Sequence, residues 1–296
     1  MDNITTIFLD ETGTIRSGWR IALFLGAYFL FSIFTAAISL AIFGNRDLGM
    51  QMTMAIGSAV VLVPALVVGS LCGKLLEKLP WSAVGVPVTL KGSANLVLGC
   101  IVGVATFAFA VAIAMVGGGL SFTQNTEALN GLWLSLLTFG VAAAFEEAFF
   151  RGYIFQTLTR SGYAWLAIFI TAVPFGVVHL GNPNAGVIST INTILAGVWF
   201  GLAYLKTRDL WFVWGLHWFW NWTQASVFGI EVSGLTDFSS TALLVEQDAG
   251  PHWLTGTTYG IEGGIACTIA ILLSMVALKP WKLFNAAIAK DAENDK

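Results

Sequence analysis

Charge is scarce in this sequence. Lys, Arg, Asp and Glu together make up 10% of its 296 residues, against roughly 25% in ordinary soluble domains. Cysteine is nearly as rare. Cys72, Cys100 and Cys267 lie in or beside apolar runs, and an odd number of embedded thiols argues against a disulfide framework and for small core hydrophobes. There is no internal repeat and no polar stretch long enough to form a soluble domain. The formal net charge of −3 comes without a basic cluster, so no nucleic-acid partner is expected.

What the chain has instead is hydrocarbon. Hydrophobic residues make up 56% of it, with a mean hydropathy of +0.78, and they come in long uninterrupted runs. Such runs mark spanning helices rather than a water-soluble core. The first, Ile21–Phe43, follows the polar residues Asp10, Glu11 and Arg16. It is much longer than the roughly 7–15 apolar residues of a signal peptide, so it is expected to remain as a helix.

About eight spans are expected: Ile21–Phe43, Met50–Leu71, Leu96–Val116, Leu132–Leu158, Tyr163–Leu180, Val187–Leu205, Leu210–Phe228 and Tyr259–Leu278. The fold class is therefore all-α, a polytopic membrane helical bundle forming one membrane domain over 1–296. Residues 1–20 form a cytoplasmic N-terminal segment, 132–228 the core helices, and 279–296 a charged cytoplasmic tail. The stretch from Lys74 to Lys91 reads as an interfacial loop or short surface helix, and 121–130 and 229–258 as polar loops. The many tryptophans, five of them between Trp211 and Trp222, read mostly as belts at the headgroup level.

Orientation follows from the basic residues. With the N-terminus in the cytoplasm, Arg16, Arg20, Lys74, Lys78, Lys91, Arg160, Lys206, Arg208 and the four lysines of the tail all fall inside. Only Arg46 falls outside. Both termini are thus expected in the cytoplasm, the bacterial cytoplasmic membrane being the expected location.

Against this background the run Phe145-Glu146-Glu147-Ala148-Phe149-Phe150-Arg151 stands out. A charge in hydrocarbon costs at least ~2.5 kcal/mol, and such residues usually face a cavity or one another. Glu147 and Arg151 are four apart and share a helix face; Glu146 points about 100° away. Of the three histidines, His179 and His217 lie in expected spans. His217 shares a face with Asn221, and His179 with Phe175. The bland reading is a structural polar network, which suits Glu147 with Arg151 well. Glu146, His179, His217 and Asn221 are harder to dismiss, because three spans supply polar groups without structural need.

A Glu beside a His in a poorly solvated cavity is suited to taking a proton from water, and a second His with an Asn can donate to an oxyanion. These are the parts for adding water to an amide. Neither a serine or cysteine nucleophile at motif spacing nor HExxH is evident.

The three motifs, Glu146-Glu147-Ala148-Phe149-Phe150-Arg151, Phe175-Gly176-Val177-Val178-His179 and His217-Trp218-Phe219-Trp220-Asn221, in order and in spans, resemble those of the CAAX prenyl protease and bacteriocin-processing (Abi, CPBP) family of intramembrane glutamic endopeptidases. The resemblance covers about Trp133–Trp222. It implies that Glu146 and His179 activate the attacking water, that His217 and Asn221 form the oxyanion site, and that Glu147 and Arg151 support the geometry of the first Glu. No metal or other cofactor is implied. Asn192 and Glu262 also look like family features, with no catalytic role assigned. The implied partners are the lipid bilayer and a membrane-associated peptide or protein: a prenylated tail, a peptide pheromone or bacteriocin, or a membrane-protein segment.

Three other readings remain open at the level of the sequence. Glu146, His179 and His217 supply the ligand types of an open zinc site, though not at the usual local spacing. A non-catalytic immunity or scaffold protein would keep the same fold. A proton-coupled transporter could also bury Glu and His, but corresponding halves with broken helices are not seen. Depth poses a further question. At ~1.5 Å per residue Glu146 and His217 come out roughly 12–14 Å from the cytoplasmic helix ends, and His179 about 25 Å. Either the fifth span starts deeper or it bends at Pro174.

Overall fold

The computed structural model describes residues 5–84, 86, 88–125, 131–238 and 241–278; the expected tail at 279–296 and the end of the 121–130 loop lie outside them. The chain is a bundle of apolar helices in the expected order. These are α1 (Ser17–Phe43), α2 (Gly49–Glu77), α3 (Leu90–Val116), α4 (Leu132–Arg160), α5 (Ala164–Val178), α6 (Val187–Thr207), α7 (Leu210–Trp222) and α8 (Ile265–Leu278). Short helical turns at Thr5–Phe8, Trp81–Val84 and His252–Thr255 are left unnumbered.

Among the described residues six helices, α1 to α6, are long and apolar enough to cross a membrane, α5 when its closing turn through Gly181 is included. This makes the chain a multi-pass membrane protein. The remaining two expected spans depart from that standard for separate reasons. The seventh continues beyond Trp222 as a π turn, Thr223–Val227, but His217, Asn221 and Gln224 lower its hydropathy. The eighth begins only at Ile265, because Tyr259–Gly264 is spent on turns. Gly260 there adopts a positive φ of 86°, where a Cβ would run into the Glu231 carbonyl.

Helix ends are set locally. The Thr89 side chain accepts from Gly92 N–H (3.0 Å) to start α3, and Asp209 Oδ1 accepts from Trp211 N–H (2.9 Å) to start α7. Lys78 and Arg208 turn left-handed to end α2 and α6.

Packing rests on small residues. In a bilayer, helices associate through close approach rather than the hydrophobic effect. Gly99 and Gly103 of α3 lie against the backbone of Phe212 and Leu216, and Gly215 of α7 lies against Leu96; a Cβ at any of the three would overlap a carbonyl of the opposite helix. The Asn95 side chain adds a 2.7 Å hydrogen bond to Asp209. The core gathered around this seam includes Phe107, Trp199, Leu216 and Cys267. All three cysteines are free, as the sequence implied.

The polar segments at the opposite end are more ordered than loops. Leu120–Gln124 (β1) pairs antiparallel with Leu244–Asp248 (β2), Leu120 opposite Asp248 and Gln124 opposite Leu244. This two-stranded ribbon was not expected from the sequence.

Helix α4 is the irregular one. It is α-helical through Glu147, widens into a π turn over Ala148–Ile154 and resumes at Phe155–Arg160, with Gly152 leaving the helical region (φ −72°, ψ −121°). Counted from Arg160, Glu146 stands about 21 Å from the cytoplasmic end of α4. His179, just past α5, stands about 22 Å from Ala164 by the same rise, so the apparent mismatch in depth between these two disappears. His217 is about 10 Å along α7 by the same rise, nearer the basic end than Glu146 and His179.

Candidate active site

A cavity of about 280 Å³ opens among α2, α4, α5, α6, α7, α8 and the loop before α8. Glu146, His179, His217 and Asn221 all line it. Three motifs far apart in sequence, from Glu146 to Asn221, are thus brought to one space.

His179 closes α5. Its Nδ1 lies 2.6 Å from the Phe175 carbonyl oxygen. A carbonyl only accepts, so Nδ1 carries the hydrogen, and the neutral ring keeps its lone pair on Nε2. Phe175, the first residue of that motif, also packs its ring 4.9 Å from the His179 ring, which fixes the imidazole from two directions.

His217 is held more firmly. Its Nδ1 lies 2.9 Å from Glu147 Oε1, and its Nε2 lies 3.6 Å from Glu146 Oε2. The Phe200 ring stacks on it at 4.7 Å. Asn221, one turn along, lines the same cavity.

Behind this wall sits a charge layer with almost no exposure. Glu147 is 1% exposed and Arg151 is 0%. Arg151 Nη1 pairs with Glu147 Oε1 at 3.2 Å, and Nη2 donates to the Gly197 carbonyl at 3.0 Å. The guanidinium is enclosed by the rings of Phe175 (4.7 Å), Phe200 (5.1 Å) and Phe150 (5.7 Å), an arrangement in which cation–π attraction replaces part of the lost hydration. The hydrogen bonds of Glu147 go to Arg151 and His217.

Two residues to which the sequence assigned no role now have a place. The Glu262 carboxylate lines the cavity. It accepts from Trp220 Nε1–H (3.2 Å), Ser233 N–H (2.8 Å) and Ser233 Oγ–H (2.7 Å). Asn192 holds the segment carrying it, donating from Nδ2 to the carbonyls of Glu262 (2.8 Å) and Gly264 (2.9 Å) and accepting from Thr268 Oγ1 (2.6 Å). The only sequence signal for this was a Glu among glycines at the edge of a span. Trp199, Phe200 and Trp220 looked like ordinary apolar helix residues and gave no signal as cavity walls. Among the described residues no three His, Cys, Asp or Glu side chains are grouped to hold a metal ion.

Residues 128–223 match the family model described as type II CAAX prenyl endopeptidase Rce1-like. The match covers about a third of the chain and agrees with the resemblance carried by the three motifs. No curated protein matches the sequence significantly. The matched segment runs from residue 128 through α7 and contains Glu146, Glu147, Arg151, His179, His217 and Asn221. The matched segment is similar to that family of membrane proteases, and the likeness is confined to it.

Proposed function

We propose that the chain is an intramembrane glutamic endopeptidase of a bacterial cytoplasmic membrane. The observation that supports this best is the meeting of Glu146, His179, His217 and Asn221 at one cavity, with a buried Glu147–Arg151 pair behind it. In this reading Glu146 takes a proton from water, assisted by the free Nε2 of His179, and the hydroxide adds to the scissile carbonyl. The developing oxyanion is met by the Asn221 amide and by His217, which donates from Nε2 when the ring is protonated and faces Glu146 and Glu147. The proton held by Glu146 then passes to the leaving amine as the C–N bond breaks. Glu147 and Arg151 touch no reacting atom; they set the position of His217.

The test compares membranes carrying wild type, Glu146→Gln and His179→Ala at matched protein levels, following peptides by mass spectrometry. Peptides formed by wild type and lost in both variants are expected. Identical profiles in all three, with a cellular phenotype that still depends on the protein, would replace proteolysis with a binding or scaffolding role.

A further inference from the structure

Most basic residues lie at the end of the bundle away from the cavity; Arg46, in the α1–α2 connection, is the exception at the cavity end, and Arg151 is buried beside the cavity. Arg16, Arg20, Lys74, Lys78, Lys91, Arg160, Lys206 and Arg208 all fall at the end where α1, α3, α5 and α7 start. Polar links tie the helices together at that end. Glu77 binds Arg20 (2.6 Å) and Arg160 (2.9 Å), which joins α1, α2 and α4, while Asn95 and Asp209 join α3 to α7. The cavity runs from the middle of the bundle, where Glu146, Trp199, Phe200 and His217 lie, to the other end. Met54 is in the second turn of α2, Asn192 in the second turn of α6 and Cys267 in the first turn of α8. Asn182, Ser233 and Leu235 belong to the connections at that far end. The Arg151–Glu147 layer with its phenyl rings lies between the cavity and the basic end.

The far end is also acidic. The 229–258 connection carries Glu231, Asp237, Glu246 and Asp248 and has neither Lys nor Arg. The cavity itself is walled by Phe139, Trp199, Phe200 and Ile271, with the Glu262 carboxylate among them. Basic loops stay in the cytoplasm, so the mouth of the cavity faces away from it.

We propose that this site receives its substrate from the non-cytoplasmic side. The substrate class is an exported or membrane-tethered peptide, apolar where it enters the cavity and flanked by cationic residues. A cytosolic prenylated tail would meet the basic end, away from the connections that line the cavity. A cavity of about 280 Å³ admits a few residues of extended chain and excludes a folded domain. The substrate part of this inference rests on the protease reading; the sidedness rests on charge and geometry alone.

The experiment uses the full chain in intact bacterial cells with a membrane-impermeant maleimide. The three native cysteines, embedded in the bundle, set the background. Asp237→Cys, in the connection beside the cavity, is expected to label in intact cells. Lys91→Cys, at the basic end, is expected to label only after lysis. The reverse pattern would overturn the sidedness and with it the proposal. In the same cells, peptides that depend on Glu146, identified by comparison with Glu146→Gln, are expected in the extracytoplasmic fraction. Outside labelling at Asp237→Cys with Glu146-dependent peptides only in the cytosol would overturn the substrate class and leave proteolysis standing. Outside labelling with no Glu146-dependent peptide anywhere would overturn both the substrate class and the protease reading, and leave the sidedness intact.

Discussion

Glu146 and Glu147 are adjacent in sequence and differ in environment. The Glu146 side chain is 25% exposed and faces the cavity, while Glu147 is closed in with Arg151. Their amide variants should therefore fail differently. Glu146→Gln keeps the shape, removes the group that takes the proton, and should lower cleavage by about 10²-fold or more with an unchanged melting temperature in detergent. Glu147→Gln leaves the Arg151 guanidinium buried without its partner, a change of the kind that costs ~3–5 kcal/mol. It should lower the melting temperature and reduce activity together. A Glu147→Gln protein as stable as wild type would show that the neighbouring carbonyl and rings suffice for Arg151. The split between the two carboxylates was partly legible in the sequence, because a 100° step separates consecutive helix residues. That both meet His217, one at each ring nitrogen, was not, since that depends on how α4 and α7 are rotated against each other.

Helices α3 and α7 place half of the site. His217 and Asn221 are positioned by the seam at Gly99, Gly103 and Gly215, where backbone meets backbone. Adding a side chain there must push α7 away. Gly103→Val, opposite the Leu216 carbonyl and one residue from His217, should cost ~1–3 kcal/mol through overpacking. It should also lower cleavage more than a mutation of similar thermal cost placed on lipid-facing α1, because it moves a reacting group. Comparing melting temperature with initial rate for both variants checks this; equal losses of rate would mean that the seam sets stability without setting the site. The apolar runs made every helix of this bundle legible in advance. Its irregularities were not. The π turn after Glu147 and the late start of α8 arise from tertiary demands, the first where Arg151 must reach both Glu147 and Gly197, the second where Glu262 must reach Ser233. Hydropathy carries no information about either.

At the scale of the whole molecule, the end that carries the cavity is capped by the β1–β2 ribbon, which a reading of spans and polar loops could not foresee because its strands are 120 residues apart by the pairing of Gln124 with Leu244. The ribbon introduces a pH dependence of its own. Burial, with the negative charges of Glu231 and Asp248 nearby, raises the Glu246 carboxyl from an ordinary 4.5 to about 8. Between those values the folded chain holds a proton that the unfolded chain has released, so stability falls as pH rises through that window and levels off above it. Unfolding followed in detergent from pH 5 to pH 9 should show this decline in wild type. Glu246→Gln, which cannot ionise, should flatten it and become the more stable protein at pH 9. Parallel curves for the two would mean that the ribbon opens before Glu246 loses its proton, and that the acidic end adapts to pH by moving rather than by holding a buried acid.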